Sequence, residues 1–215
     1  MAYNSVVLSS GHGKYVRGAS GILDEVDEAR KVVDAVATEL MERGVEVYIF
    51  HDDVSKSQNE NLNRITDYHN SKTRDLDVSV HFNAYEQVSK PMGTEVLYVT
   101  QSVLAGQVSA AIADCGFINR GGKKRTDLHF LNATEMPSIL IEVCFVDSEA
   151  DAEIYEDNFA QICSAIAYSL SGLEDVTGEP PPGETVPPAA LPRVDIEVSG
   201  EVLIFVNGEQ VGTKG

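Results

Sequence analysis

The sequence predicts an α/β fold: a mostly parallel, twisted sheet covered by helices on both faces, with a small C-terminal β-hairpin module after a Pro-rich linker. Three observations carry this. Short runs rich in Val, Ile and Leu alternate with amphipathic stretches at helical spacing. Residues 137–147 are almost continuously apolar, as a strand buried on both faces requires. From Gly172 the composition turns to Glu, Pro and Gly and apolar periodicity stops. The chain therefore divides into a main domain at 1–171, a linker at 172–192 and a hairpin at 193–215.

Taken in order, Val6, Val7 and Leu8 begin a strand that ends in Gly11, His12 and Gly13 at the mouth of a turn. A glycine-rich loop leads to a helix over 24–43. Its inward set is Val26, Ala29, Val33, Val36, Ala37 and Leu40, and Gly44 stops it. Residues 45–50 form a second strand, and a polar loop leads into a helix through Leu62, Ile65 and Tyr68. In the strand at 77–84, alternation sends Val78, Val80 and Phe82 one way and Ser79, His81 and Asn83 the other. A strand at 94–99 and a helix at 103–115 follow. The basic cluster at 119–125 reads as a solvated turn, and 128–131 as a short strand carrying His129. A strand at 137–147 holds Glu142, and a helix at 159–170 closes the domain. Beyond the linker, 194–198 and 202–206 alternate around Ser199, Gly200 and Glu201. A hairpin this small rarely stands alone in water, so it is expected to dimerise, pack on a neighbour or open a larger module.

Charge narrows the partners. Sixteen Lys plus Arg against 34 Asp plus Glu leave −18, spread over the chain, which argues against nucleic acid. No stretch is long enough to span a bilayer, so no membrane partner is expected. Cys115, Cys144 and Cys163 are odd in number and unpaired in spacing, and read as structural thiols from a reducing compartment. The N-terminus lacks the pattern of a signal peptide. The expectation is synthesis in the cytoplasm and release by another route.

The polar residues that interrupt apolar segments carry the chemistry. In an open parallel sheet, ligands gather beyond the carboxyl ends of the strands, where His12 and His81 meet if their strands are neighbours. Glu25 opens the first helix in line with Ala29, Val32 and Val36. Two imidazoles and one carboxylate form the ligand set of open catalytic zinc sites. From spacing alone, three structural residues would explain the pattern equally well, and Glu28 could replace Glu25. Glu142 is a lone carboxylate in a buried strand, costly unless a cation, donors or protonation compensates it. Beside a metal-bound water it has the features of a general base.

With these residues in place, the chain resembles the zinc-dependent N-acetylmuramoyl-L-alanine amidases of the amidase-3 type, as in the catalytic domains of phage endolysins. The resemblance covers about residues 6–170. It rests on Gly11-His12-Gly13, the helix-opening glutamate, His81-Phe82-Asn83-Ala84 and the 137–147 segment with Ile141-Glu142. Gly93-Thr94-Glu95 and Asn119-Arg120-Gly121 add to it. It implies one catalytic zinc ion bound by His12, Glu25 and His81, with Glu142 as the catalytic carboxylate. Peptidoglycan is the implied substrate, cut between the lactyl group of N-acetylmuramic acid and L-alanine. Asn83, Asn119 and Arg120 are candidate substrate contacts. The loop after His12 lacks the second glycine and acidic residue that many members carry.

The implied role is lysis of the bacterial cell wall after release from the cell, as by a phage endolysin. A mother-cell or autolytic amidase fits the same features, as do a zinc peptidase and a non-catalytic wall-binding protein on the same fold. The hairpin is expected to confer targeting or a homodimer.

Overall fold

The structure, a computed structural model, describes residues 3–171 together with the backbone of strands Val194–Val198, Glu201–Val206 and Glu209–Lys214. The expected linker at 172–192 lies outside the described residues.

Six strands form one sheet: β1 (Ser5–Ser10), β2 (Glu46–Phe50), β3 (Leu76–Asn83), β4 (Thr94–Tyr98), β5 (Asn119–Lys124) and β6 (Ser138–Phe145). Their order is β2-β1-β3-β6-β4-β5, and every pairing is parallel except β4 with β6. The helices are α1 (Glu25–Glu42), α2 (Gln58–Asn70), α3 (Ser102–Ala113), α4 (His129–Ala133), α5 (Glu149–Asp157) and α6 (Phe159–Ser171).

Alternation along the central strands sorts the core into two layers. Val78, Val80, Ile139 and Ile141 pack with Val33 and Val36 of α1, Val108 of α3 and Ile166 of α6. Leu140 and Leu97, one residue out of phase, pack instead with Ile65 of α2 and Phe130 and Leu131 of α4. Both faces of the sheet are thus covered by helices.

Helix α1 shows why the sequence folds locally as it does. The Asp24 carboxylate accepts the N–H groups of Val26 and Asp27, satisfying two donors at the helix start. Glu25, Asp27 and Glu28 complement the positive end of the helix dipole. At the other end Gly44 adopts φ 79°, where its N–H donates to the Met41 carbonyl and that of Val45 to the Leu40 carbonyl. These are the two bonds of a Schellman stop, which favours glycine at that position.

Two expectations are corrected. The basic cluster is not a solvated turn, because Asn119–Lys124 is the edge strand β5, held by parallel backbone pairing with β4. The segment carrying His129 is not a strand but the short helix α4, which seats Phe130 and Leu131 in the smaller core layer. Helix α5 has no counterpart among the elements expected from the sequence. Cys115, Cys144 and Cys163 are free thiols, the last two buried. Beyond residue 171, β7 (Val194–Val198) and β8 (Glu201–Val206) pair antiparallel, and β9 (Glu209–Lys214) adds to β8.

Candidate metal centre

Strand order brings the site together. Strands β1 and β3 are parallel neighbours, so the chain leaves both at the same end of the sheet. Gly11 continues the pairing by donating its N–H to the Val80 carbonyl at 2.9 Å, which sets His12 beside His81. Their ring centroids lie 5.0 Å apart, edge to face. Glu25 enters from the first turn of α1, 3% exposed.

One carboxylate oxygen serves both rings. Oε1 of Glu25 lies 3.0 Å from Nδ1 of His81 and 3.5 Å from Nε2 of His12. It also accepts the Phe82 N–H at 3.2 Å, while Oε2 accepts the Ala19 N–H at 2.6 Å. Among the described residues, His12, Glu25 and His81 form the group able to hold a metal ion, with ligand atoms all within 4.8 Å of one another.

The donor set fits a tetrahedral ion such as zinc. Ligand bonds of about 2.0–2.1 Å at tetrahedral angles place neighbouring ligand atoms roughly 3.3 Å apart, close to the two Glu25–imidazole spacings. Glycines make the cradle. A Cβ at Gly11 would sit 1.7 Å from Nε2 of His81, and one at Gly18 would sit 2.3 Å from Oε2 of Glu25 and 2.6 Å from the His12 ring. Gly18 also has φ 71°, a left-handed conformation that disfavours other residues.

Electrostatics follow from this packing. Burial depresses the His12 imidazole, and the neighbouring His81 depresses it further, against the pull of Glu25. Burial also opposes charge on His81, but the hydrogen bond and charge of Glu25 outweigh it and raise its pKa. Glu25 shows the reciprocal effect: burial pushes its carboxyl up, and the contacts with His81, His12 and Ala19 bring it below the ordinary value.

Glu142 stands in register with His81 on one side and Glu95 on the other, forming a polar row across β3, β6 and β4. Its Oε2 is buried without a hydrogen-bond partner. Burial lifts the carboxyl to about 7, with the charges of Glu25 and Glu95 adding to the rise and that of His81 opposing it. The register slips between His81 and Asn83, a bulge of the kind found beside functional sites.

The remaining candidates lie along this row. A groove of about 410 Å³ is lined by Asn83, Tyr85, Met92, Glu95, Arg120 and Arg125 among others. Within it, Nδ2 of Asn83 donates to Glu95 at 3.2 Å, and Nε of Arg120 donates to the other Glu95 oxygen at 2.7 Å. Glu95 as the organiser of this wall was not foreseen. Asn119, though exposed, has its amide oxygen engaged within the protein, accepting from the Ser109 hydroxyl and the Gly121 N–H. His129 is exposed at the start of α4.

Comparison with known proteins converges on one family. The family model described as N-acetylmuramoyl-L-alanine amidase, Amidase_3, matches residues 6–171. An uncharacterized 38.4 kDa protein of Clostridium perfringens is 33% identical over 161 residues, covering 71% of this chain and 46% of that protein. The N-acetylmuramoyl-L-alanine amidase LytC of Bacillus subtilis (strain 168) is 29% identical over 171 residues, covering 73% of this chain and 33% of LytC. The chain thus spans about half the length, or less, of the curated relatives it matches. Among solved structures, the catalytic domain of the CD27L endolysin targeting Clostridia difficile aligns with TM-score 0.71 at 24% identity, covering 77% of this chain and 96% of that one. The N-acetylmuramoyl-L-alanine amidase AmiC2 of Nostoc punctiforme aligns with TM-score 0.65 at 26% identity, covering 77% and 94%.

Proposed function

The chain belongs to the N-acetylmuramoyl-L-alanine amidase family, and on that premise we propose that it hydrolyses the amide between N-acetylmuramic acid and L-alanine in peptidoglycan. The observation that carries this reading is the Glu25 oxygen shared by His81 and His12, with Glu142 next in register.

His12, Glu25 and His81 would hold one zinc ion, which supplies Lewis-acid polarisation of the scissile carbonyl and acidifies the attacking water. Glu142 is the general base. Its Oε2 lacks a protein partner, so it can accept a proton from the attacking water and pass it to the departing alanine nitrogen. Asn83 and Arg120, held by Glu95, present donors along the groove where the peptide stem would lie. Asn119 braces the edge strand behind them and is a weaker candidate for contact.

Within this activity the chain acts as a lytic enzyme of the endolysin kind, and a mother-cell or autolytic amidase would share its chemistry. The strands after residue 193 confer targeting or dimerisation. Truncation at Gly172 tests that role through wall affinity and mass in solution.

The activity is tested by digesting purified peptidoglycan and identifying the new amino termini. L-alanine termini that vanish on chelation and return with zinc support the reading. Other termini would indicate a peptidase, and the absence of any product would indicate a wall-binding protein.

A further inference from the structure

On the sheet face covered by α2 and α4, a cavity of about 60 Å³ borders the ligand cluster, lined by Ser79, His81 and His129 among apolar residues such as Leu62 and Leu140. Ser79 lies two residues before His81 on the same face of β3. It is 1% exposed, and its Oγ has no hydrogen-bond partner among the described residues. The His81 ring is turned so that Nδ1 lies 3.0 Å from Glu25, while Nε2 adjoins Gly11, itself part of the cavity wall.

Two polar groups with the same need thus border one small space. Ligation through Nδ1 leaves the ring proton of His81 on Nε2, and a metal-bound imidazole ordinarily donates that proton to a carboxylate, a carbonyl or a water. A buried hydroxyl likewise costs stability unless something bonds it. A volume of about 60 Å³ has room for about two water molecules at roughly 30 Å³ each, and a buried water needs roughly two to four polar partners. Ser79 and His81 supply two, and His129 brings a third polar residue to the wall.

We propose that an ordered water in this cavity joins Ser79 Oγ to Nε2 of His81, and that Ser79 is thereby a positioning residue for the metal centre. The water accepts the Nε2–H and donates to the Ser79 hydroxyl oxygen, which holds the ring in the tautomer that offers Nδ1 as the ligand atom. Leu62 and Leu140 offer the water no competing bond and confine it to the polar corner. The inference rests on the reading of His12, Glu25 and His81 as metal ligands and adds the outer support of one of them.

The test measures zinc affinity by chelator competition on wild type, Ser79→Ala and Ser79→Thr. Water-selective NMR on the wild type, with and without zinc, looks for a long-lived water next to the His81 ring protons. Ser79→Ala is expected to weaken zinc binding by about tenfold, the low end for loss of such a support, and Ser79→Thr, which keeps the hydroxyl, to restore most of it. The water signal should be present in the wild type and weakened in Ser79→Ala. Equal zinc affinity in wild type and Ser79→Ala would show a hydroxyl that supports nothing and overturn the proposal. An equal loss in Ser79→Ala and Ser79→Thr would assign the effect to packing and overturn it too. The wild type alone decides the water: none beside His81 overturns the proposal whatever the variants do. A wild type that binds no zinc yet shows the water would overturn the metal-centre reading and keep the Ser79–His81 link.

Discussion

A Cβ built on Gly11 falls 1.7 Å from Nε2 of His81, so the backbone leaving β1 and the imidazole at the end of β3 occupy adjoining space with no room for a methyl group. The position of His81 in the candidate metal centre rests on this contact.

Gly11→Ala is therefore expected to displace His81 and weaken zinc binding by about 10–100-fold, the usual cost of disturbing the support of a metal ligand. Gly106→Ala is the matched control, since nothing lies within 4 Å of its Cβ position. Competitive chelator titration measures both. Equal affinity in the two variants would show that His81 is not held by this packing.

Glu142 makes the metal-free protein pH-sensitive. Its folded-state pKa of about 7 exceeds the ordinary 4.5, so between those pH values the folded protein keeps a proton that the unfolded chain has released. This contribution to stability is complete below about pH 4.5, declines as pH rises, and is gone above about 7. The change amounts to at most about 3–4 kcal/mol, at about 1.4 kcal/mol per pKa unit. Glu142→Gln has no such dependence. Denaturant melts of the two metal-free proteins should show the variant gaining on the wild type from pH 5 to pH 8. A constant difference would mean that the carboxyl is not buried as described.

Glu25 holds the His81 pKa above its ordinary value despite burial. In metal-free Glu25→Gln, the His81 imidazole should titrate at lower pH than in the wild type, as followed by NMR. The stability lent by protonated His81 is present at low pH and disappears as pH rises through its folded-state pKa. The wild type should therefore lead Glu25→Gln by more at pH 5.5 than at pH 8. An unchanged His81 titration would contradict the 3.0 Å contact.

A second polar cluster is structural. His69, fully buried, bonds Asp77 through Nδ1 at 2.8 Å and Ser9 through Nε2 at 3.0 Å, and Arg74 pairs with the same Asp77. Asp77→Asn leaves the buried guanidinium without its counter-charge and is expected to cost about 3–5 kcal/mol. Metal stoichiometry of the folded fraction should not change. Loss of metal at full stability would assign this cluster to the site instead.

The candidate ligands were legible in the sequence because each sits where local pattern marks it. His12 and His81 end neighbouring strands, and helical spacing from Ala29, Val32 and Val36 turns Glu25 inward. Glu142 stood out as one carboxylate in an apolar run. Strand β5 was hidden because an edge strand held by backbone pairing needs few apolar side chains, and its residues are Asn, Arg, Gly and Lys. The four residues 128–131 are too few to show whether the period is that of a strand or of a helix. The Glu95–Arg120 pair and the His69 cluster join residues distant in the chain through tertiary contact alone, with no local period to reveal them.

The most direct measurement is metal content and peptidoglycan hydrolysis, side by side, on wild type, Glu142→Gln and His81→Ala. One zinc per chain in the first two, product from the wild type alone and metal lost from His81→Ala is the predicted result. Zinc retained by His81→Ala, or hydrolysis by Glu142→Gln at the wild-type rate, would contradict the assignment of ligand and base.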